Sequence, residues 1–133
     1  MAARSSLVLT DRAGTPVNHT YSPDGDDVNG AHLFSEKTGV PAGDPRFSAR
    51  LLKSKGGQYR PSLRLVVPVV QTQTINGVSS PVVVRTAYAE VNFTFDPLSS
   101  AQERADAVGL IASALPAAQT QINDMIVNLS DIY

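Results

Sequence analysis

The sequence RFSARLLKSKGGQYRPSLR, residues 46–64, decides the fold. Its even positions are mainly polar or basic, and its odd positions are mainly apolar, on both sides of the Gly56-Gly57 pair. A period of two places these sets on opposite faces of two β-strands, and the glycines suit the hairpin turn between them. The stretch holds six Lys or Arg and no Asp or Glu, although the whole chain has a formal net charge of -1. It therefore predicts a hairpin with one apolar face and one basic, hydroxyl-rich face.

The same parity continues in a third predicted strand, residues 86–95. Its odd positions are apolar, and its even positions include Tyr88, Glu90 and Asn92. If the three strands share a sheet, these side chains lie on the basic face. An unpaired RNA base can stack on an aromatic ring while its phosphates meet neighbouring Lys and Arg side chains. The alternative interpretation is the ordinary solvated face of an antiparallel sheet.

Length and composition narrow the class of protein. The 133 residues are enough for a single domain with a hydrophobic core, and the absence of cysteine excludes disulfides and thiolate metal sites. The N-terminus lacks the apolar run of a signal peptide, and no stretch is long and apolar enough for a membrane span. We therefore expect a soluble protein of the cytoplasm with no membrane partner.

Catalytic and metal-binding patterns are absent from the sequence. Neither a nucleophile elbow nor a phosphate-binding glycine loop occurs, and His19 and His32 lack metal-ligand spacing. Asp24, Asp26 and Asp27 could gather a calcium ion, but solvated turn carboxylates are favoured because the later bidentate glutamate is missing. We expect no enzyme activity, cofactor, metal or small-molecule substrate.

The order of the strand patterns predicts where the sheet lies. An N-terminal β-hairpin is predicted within residues 1–22 and a sheet within residues 31–96. Residues 22–27 are predicted to form a polar loop. Residues 71–81 are predicted to form a longer connection, with a strong turn signal at Asn76-Gly77.

The hydrophobic period changes to 3.6 residues in the last third of the chain. Ser100 and Glu103 have the spacing of a capping box, and two helices are predicted within residues 99–130, the second starting near Ala117. Strands followed by helices indicate an α+β fold. All elements are assigned to one domain, residues 1–133.

Several segments of the chain resemble the coat proteins of small single-stranded RNA bacteriophages, the leviviruses. They are LVLTDR at residues 7–12, LRLVVPVVQ at residues 63–71, and the stretch 81–95 with RTAY at its centre, in a chain that ends in Tyr133. The similarity follows the chain in order without large gaps and is densest from Tyr59 to Phe95.

The resemblance implies a fold and a function. The fold has an N-terminal β-hairpin, a five-stranded antiparallel sheet and two C-terminal helices, and it forms an interlocked homodimer. Such dimers assemble into a T=3 icosahedral capsid around the single-stranded RNA genome, in a virion assembled in the bacterial host cytoplasm. A dimer also binds an RNA stem-loop at the replicase start site, which represses translation and directs packaging.

The resemblance also implies an RNA-binding site on the open, even-numbered face of the sheet. Ser48 and Ser62 match hydroxyl residues of a base pocket, Arg64 matches its basic residue, and Tyr88 matches a ring that stacks on a loop base. Arg50 and Leu52 depart from the pattern and alter the expected pocket shape. The implied RNA-binding residues are Arg46, Ser48, Arg50, Ser54, Arg60, Ser62, Arg64, Tyr88, Glu90 and Asn92.

Two classes of function remain open from the sequence. One is a self-assembling capsid protein with an RNA regulatory surface, and the other is an RNA-binding module that does not assemble. Sizing chromatography distinguishes them, because a capsid protein gives a shell-sized species whereas a module elutes as a small monomer or dimer.

Overall fold

Six strands form an antiparallel sheet in which neighbours along the chain are also neighbours in space. The structure is a computed structural model and describes residues 3–133. The strands are β1 (Leu7–Thr10), β2 (Asn18–Asp26), β3 (His32–Ser35), β4 (Arg46–Lys53), β5 (Tyr59–Ile75) and β6 (Val78–Asn92). Strands β1 and β2 form the N-terminal hairpin, and β2 also pairs with β3, so the hairpin is continuous with the rest of the six-stranded sheet. The predicted α+β fold class is confirmed.

The register of the central strands confirms the alternation predicted from residues 46–64. Ser48 lies opposite Arg64, and Arg50 lies opposite Ser62. Strand β6 keeps the same parity, because Arg64 pairs with Glu90 on its other side. Residues that are directly opposite in an antiparallel pair point to the same face. The even-numbered side chains of β4, β5 and β6 therefore share one face.

Strand β2 is longer than predicted. The polar loop expected at residues 22–27 is wrong, since β2 runs to Asp26, which pairs with His32. The register shifts between Pro23 and Gly25, and such an irregularity is where a strand tolerates a proline without an N–H group. The Pro-Asp-Gly sequence is typical of a turn, but pairing with β3 overrides that local preference.

A two-residue turn joins β5 to β6. The longer connection predicted for residues 71–81 is wrong, because β5 runs to Ile75 and β6 begins at Val78. Asn76 and Gly77 have φ angles of 53° and 77°. Positive φ at both central residues is the geometry of a type I′ hairpin turn. The predicted turn at Asn76-Gly77 is confirmed, whereas the polar residues on either side of it pair across the hairpin.

An irregularity divides the long hairpin of β5 and β6. Pairing of β5 with β4 ends at Val66, and the register with β6 shifts between Val69 and Val70. The 3₁₀ turn Pro41–Gly43 contacts β5 at this point, because a Cβ added to Gly43 would overlap the Val70 side chain. Glycine is thus required for the turn to approach the irregularity so closely.

Three aromatic rings pack together on the odd-numbered face of the sheet. Tyr21 and Phe34 are buried, and the Phe47 ring lies 6.4 Å from each of their ring centroids at tilted or edge-on angles, which aromatic pairs prefer. Further along the same apolar face, Leu51 is 66% exposed and Leu63 is 36% exposed. Much of the apolar face is therefore open to solvent.

The second compact unit of the chain, Phe95–Tyr133, contains two helices. They are α1 (Ala101–Ala114) and α2 (Thr120–Ile126). Helix α2 starts later than the predicted Ala117, because the residues after the helix-breaking proline form a turn first. Within residues 3–133, neither helix is long and apolar enough to cross a membrane.

Helix α1 begins with the capping box that was predicted from Ser100 and Glu103. The Glu103 backbone N–H donates to the Ser100 hydroxyl at 3.2 Å, and the Ser100 backbone N–H donates to the Glu103 carboxylate at 3.3 Å. These bonds satisfy two of the amide groups that have no partner inside the helix. Val108, Ile111 and Leu115, at helical spacing, are each about half exposed. These three apolar side chains are thus substantially exposed to solvent.

A histidine on β2 connects two acidic residues from neighbouring segments. His19 Nε2 lies 2.8 Å from Asp11 Oδ2, and His19 Nδ1 lies 2.8 Å from Glu36 Oε2. Both ring nitrogens can donate only when the ring is protonated. Hydrogen bonds to Asp11 and then to Glu36 raise the pKa of His19. The hydrogen bond with His19, together with backbone N–H donors, lowers the pKa of Asp11 from 3.8 to about 2.

We expect the free energy of unfolding of the unassembled protein to depend on pH through this cluster. The contribution of His19 is complete below its unfolded pKa of 6.5 and is lost as the pH rises through the higher folded pKa. The contribution of Asp11 is present above pH 3.8 and is lost as the pH falls towards 2. The melting temperature should therefore fall as the pH rises above 6.5. This fall should be absent from the His19→Gln variant. An equal loss in the variant would contradict the prediction.

Candidate nucleic-acid interface

Three rows of side chains cross strands β4, β5 and β6 on the even-numbered face of the sheet. Within each row the backbones are directly paired. The rows bring together all the residues implied for RNA binding except Ser54 and Arg60. They are Arg50–Ser62–Asn92, Ser48–Arg64–Glu90 and Arg46–Val66–Tyr88.

Ser54 and Arg60 lie at one end of this face and not at its centre. Arg60 is paired with Leu52 in the row next to Arg50. Ser54 follows β4 in the hairpin turn, where its backbone N–H donates to the Gln58 carbonyl at 2.8 Å. Neither residue lines the concavities described next. We therefore assign them a peripheral place on the face.

Two concavities open on the even-numbered face, and Ser48 and Arg64 line both of them. The first, of about 270 Å³, is lined by the Arg50–Ser62–Asn92 row together with Glu90. The second, of about 370 Å³, is lined by Arg46, Val66 and Tyr88. The first lies just below the range for ligand sites, about 300–1,000 Å³, and the second lies near its lower end. The middle row thus separates two small recesses with different linings.

Arg64 occupies the centre of the face. Its Nε lies 3.6 Å from Glu90 Oε1, and its guanidinium carbon lies 5.7 Å from the centroid of the Tyr88 ring. Both charged side chains are more than half exposed, so the ion pair contributes little to stability. The two contacts orient the guanidinium and leave its donors accessible. An oriented arginine can meet a phosphate or stack with a base.

Tyr88 presents an exposed ring beside a buried aliphatic side chain. The residue is 66% exposed, whereas its cross-strand partner Val66 is 9% exposed. An exposed ring on a rigid strand is a platform on which a base can stack without prior movement of the protein. The sequence pattern predicted the ring on this face, and the register places it beside Arg64 and Arg46.

This face also has an acidic side, which was not predicted from the sequence. Asp27 lines both concavities, Asp24 lines the larger one, and Asn29 lines the smaller one. Asp24 accepts hydrogen bonds from the Ser35 hydroxyl and from Lys37 Nζ, which lower the pKa of Asp24. The sequence shows these residues as a polar stretch, but their position depends on the irregular pairing of β2, which the sequence does not reveal.

Asp26 lies outside both concavities and has its own partners. It accepts a hydrogen bond from Arg4 Nη2 at 2.5 Å and lies 2.7 Å from His32 Nδ1. The contact with His32 lowers the pKa of Asp26. Asp24 and Asp26 are solvent-exposed carboxylates, as predicted, but they lie in strand β2 and not in a turn. Within residues 3–133, no group of three or more acidic or histidine side chains is arranged to hold a metal ion.

Comparisons with known proteins identify the family. The levivirus coat protein family matches residues 2–133. The capsid protein of Pseudomonas phage PRR1 is 47% identical over 132 residues, which span 99% of this chain and 100% of that protein.

Solved structures show the same fold. The virus-like particle of bacteriophage ESE058 has a TM-score of 0.89 at 24% identity, with 99% of this chain and 100% of that chain covered. An unassembled coat protein dimer, described as a bacteriophage RNA-binding dimer, has a TM-score of 0.58 at 21% identity over 97% of both chains. The match to the family and the identity to the PRR1 protein confirm the resemblance. The chain therefore belongs to the levivirus coat protein family, whose matched members are structural capsid proteins and not enzymes.

Proposed function

We propose that this chain forms an interlocked homodimer that assembles into a T=3 icosahedral shell around single-stranded RNA. The dimer also binds a stem-loop at the start of the replicase message, which represses translation and directs packaging. As a coat protein the chain is a component of the virion, and we place its assembly in the bacterial host cytoplasm. The interlocked dimer, the T=3 shell, the stem-loop and the place of assembly are proposals that go beyond membership of the family.

The dimer is supported by surfaces that a single chain leaves open. Strand β6 is an edge strand of the sheet within residues 3–133, and an open edge can pair with a second chain. Leu51 on the sheet and Ile111 on α1 are exposed apolar side chains. Exposed apolar side chains of this kind can mark surfaces that a second chain covers. A second copy that pairs along β6 and covers these side chains would satisfy both surfaces.

RNA binding is supported above all by one observation, the middle row Ser48–Arg64–Glu90 with Tyr88 beside it. Together, this row and Tyr88 place a hydroxyl group, a cation and an exposed ring close to one another on one face of the sheet. Phosphates bind cations, and unpaired bases stack on rings and hydrogen-bond to polar side chains. A stem-loop presents both kinds of group at once. The likeness to an RNA-binding coat dimer agrees with this use of the face.

The experiment is expression of the whole chain in bacteria, followed by sizing chromatography and electron microscopy. We expect closed particles that contain RNA. Dimers from dissociated particles should then bind a replicase-start stem-loop more tightly than a scrambled stem-loop of equal length. A small species that never assembles would overturn the capsid proposal. Equal affinity for both stem-loops would overturn the regulatory role and leave the capsid role standing.

A further inference from the structure

Asp27 is an acidic residue on the face that is proposed to bind RNA. It lines both concavities, together with Ser48 and Arg64. A carboxylate repels phosphates, so its presence weakens the general attraction of the face for RNA. A carboxylate in a base-sized recess instead favours a group that donates hydrogen bonds. We therefore expect Asp27 to contact the edge of a base and not the RNA backbone.

The Asp27 carboxylate is held in place by the turn between β2 and β3. Its Oδ1 accepts hydrogen bonds from the backbone N–H groups of Asn29 at 2.8 Å and Ala31 at 3.0 Å. The backbone of Asp27 also donates to the Ala31 carbonyl at 2.9 Å and accepts from the Gly30 N–H at 3.2 Å. A side chain fixed in this way loses little further freedom when it binds a ligand. Asp27 is thus a preorganised acceptor.

Asp27 differs from the other carboxylates of the two concavities. Asp24 is paired with Lys37 Nζ at 3.0 Å, and Glu90 is paired with Arg64 Nε at 3.6 Å. Within residues 3–133, no cation pairs with Asp27, and its bonded oxygen is Oδ1. Its Oδ2 therefore remains available to accept a hydrogen bond from outside the chain.

We propose that Asp27 is a specificity residue of the RNA site, which selects an unpaired base bearing an exocyclic amino group and rejects uracil. The inference rests on the RNA-binding function proposed above. Asp27 Oδ2 accepts from the amino group, as carboxylates do from the cytosine amino group in base recognition. The hydroxyls of Ser48 and Ser62 line the same recess and can donate to the ring nitrogen beside that amino group in adenine or cytosine. Uracil has a carbonyl oxygen at the corresponding position, and two acceptors would then face each other.

The test uses purified wild-type coat protein dimers and a stem-loop library in which each unpaired position is randomised. Sequencing of the bound fraction gives the preference at each position. We expect wild-type protein to disfavour uracil at one or more positions by roughly 5- to 100-fold, the range that one good base contact supplies. Asp27→Asn keeps the Oδ1 acceptor and replaces Oδ2 with an amide donor. It should therefore abolish or reverse the preference against uracil at that position.

A matched variant separates recognition from charge. Asp106→Asn removes the same charge from an exposed position on α1 and should leave the base preference unchanged. If Asp27→Asn shifts the affinity for all library members equally, as Asp106→Asn would, the specificity role is overturned. If wild-type protein retains no stem-loop above the salt-dependent background, the RNA-binding function itself fails. These two failures are therefore distinguishable.

A second measurement leaves the protein unchanged, in case Asp27→Asn does not fold. The preferred base in the best stem-loop is replaced by an analogue that lacks only the amino group, purine for adenine or the 4-deamino analogue for cytosine. A guanine preference would be tested with hypoxanthine. We expect wild-type affinity to fall by roughly 5- to 100-fold, the value of the lost base contact. An unchanged affinity would show that the carboxylate does not read the amino group.

Discussion

Replacing Ile111 with aspartate is expected to abolish the soluble dimer. Ile111 lies in the apolar stripe of α1 with Val108 and Leu115, and all three side chains are about half exposed in a single chain. An interlocked dimer that covers this stripe would place the new carboxylate in an apolar contact, and an isolated buried charge is not tolerated there. Interfaces of the obligate class bury more than about 2,000 Å² and are largely hydrophobic. We expect Ile126→Asp to have the same effect for the same reason.

The measurement is the amount and size of soluble protein by sedimentation, with Ser113→Asp as the matched control. Ser113 is an exposed residue on the same helix, two residues from Ile111, and therefore faces another side of it. Its variant should dimerise normally, although it carries the same added charge. A folded Ile111→Asp monomer that is stable at micromolar concentration would mean that dimerisation is not required for folding.

Removing the ring of Tyr88 is expected to weaken binding of the cognate stem-loop far more than binding of unrelated RNA. One base stacked on an aromatic side chain contributes about 1–3 kcal/mol, and the ring is 66% exposed on the open face. Tyr88→Ala should leave the salt dependence of binding nearly unchanged. Arg64→Ala should instead weaken all RNAs and reduce the salt slope by about one ion. Titrations at low and high salt measure both quantities.

Tyr88→Phe is the matched control for the stacking prediction. It keeps the ring and its contact with the Arg64 guanidinium, so binding of the cognate stem-loop should stay close to that of the wild type. Neither Tyr88 variant is expected to prevent shell assembly, because assembly depends on contacts between protein subunits. If Tyr88→Ala weakens cognate and scrambled RNA equally, or neither, the ring is not a platform for a specific base.

The central part of the fold was predictable because local pattern and tertiary contact agree there. Residues 46–64 alternate with a period of two, and the register of β4 with β5 follows that alternation. The capping box at Ser100 and the turn at Asn76-Gly77 have short-range causes, which are a side chain bonding to a nearby backbone and a positive φ angle. Features of this kind need no information about distant residues.

The errors occur where distant residues decide the outcome. Residues 22–26 carry turn-forming side chains, but pairing with β3 extends the strand through them. The same is true of the polar residues around Asn76-Gly77, which pair across the hairpin. Propensities describe a chain segment by itself, whereas a neighbouring strand supplies hydrogen bonds that outweigh them. Long-range pairing was therefore underestimated in both places.

The same distinction separates the site residues that were predicted from the one that was missed. Arg50, Arg64 and Tyr88 were assigned to one face by parity alone, and the register brings them into adjacent rows. Asp27 was missed because it belongs to a turn after an irregular strand, so that no period connects it to the central strands. Its charge also argued against an RNA surface. A side chain whose charge is opposite to that of its face does not serve the attraction of phosphates, so it points to a different contact.

The irregularity at Val69 and Val70 has a mechanical consequence for assembly. Past this point, the ribbon of β5 and β6 extends to Ile75 and Val78 without pairing to β4. At about 3.3 Å per residue, this part of β5 is roughly 20 Å long. A bend of about 10° at its base would displace the tip by roughly 3–4 Å over that length. If the ribbon bends where Gly43 approaches Val70, one sequence could meet unequal neighbours in the proposed shell while the paired part of β4, β5 and β6 keeps its shape.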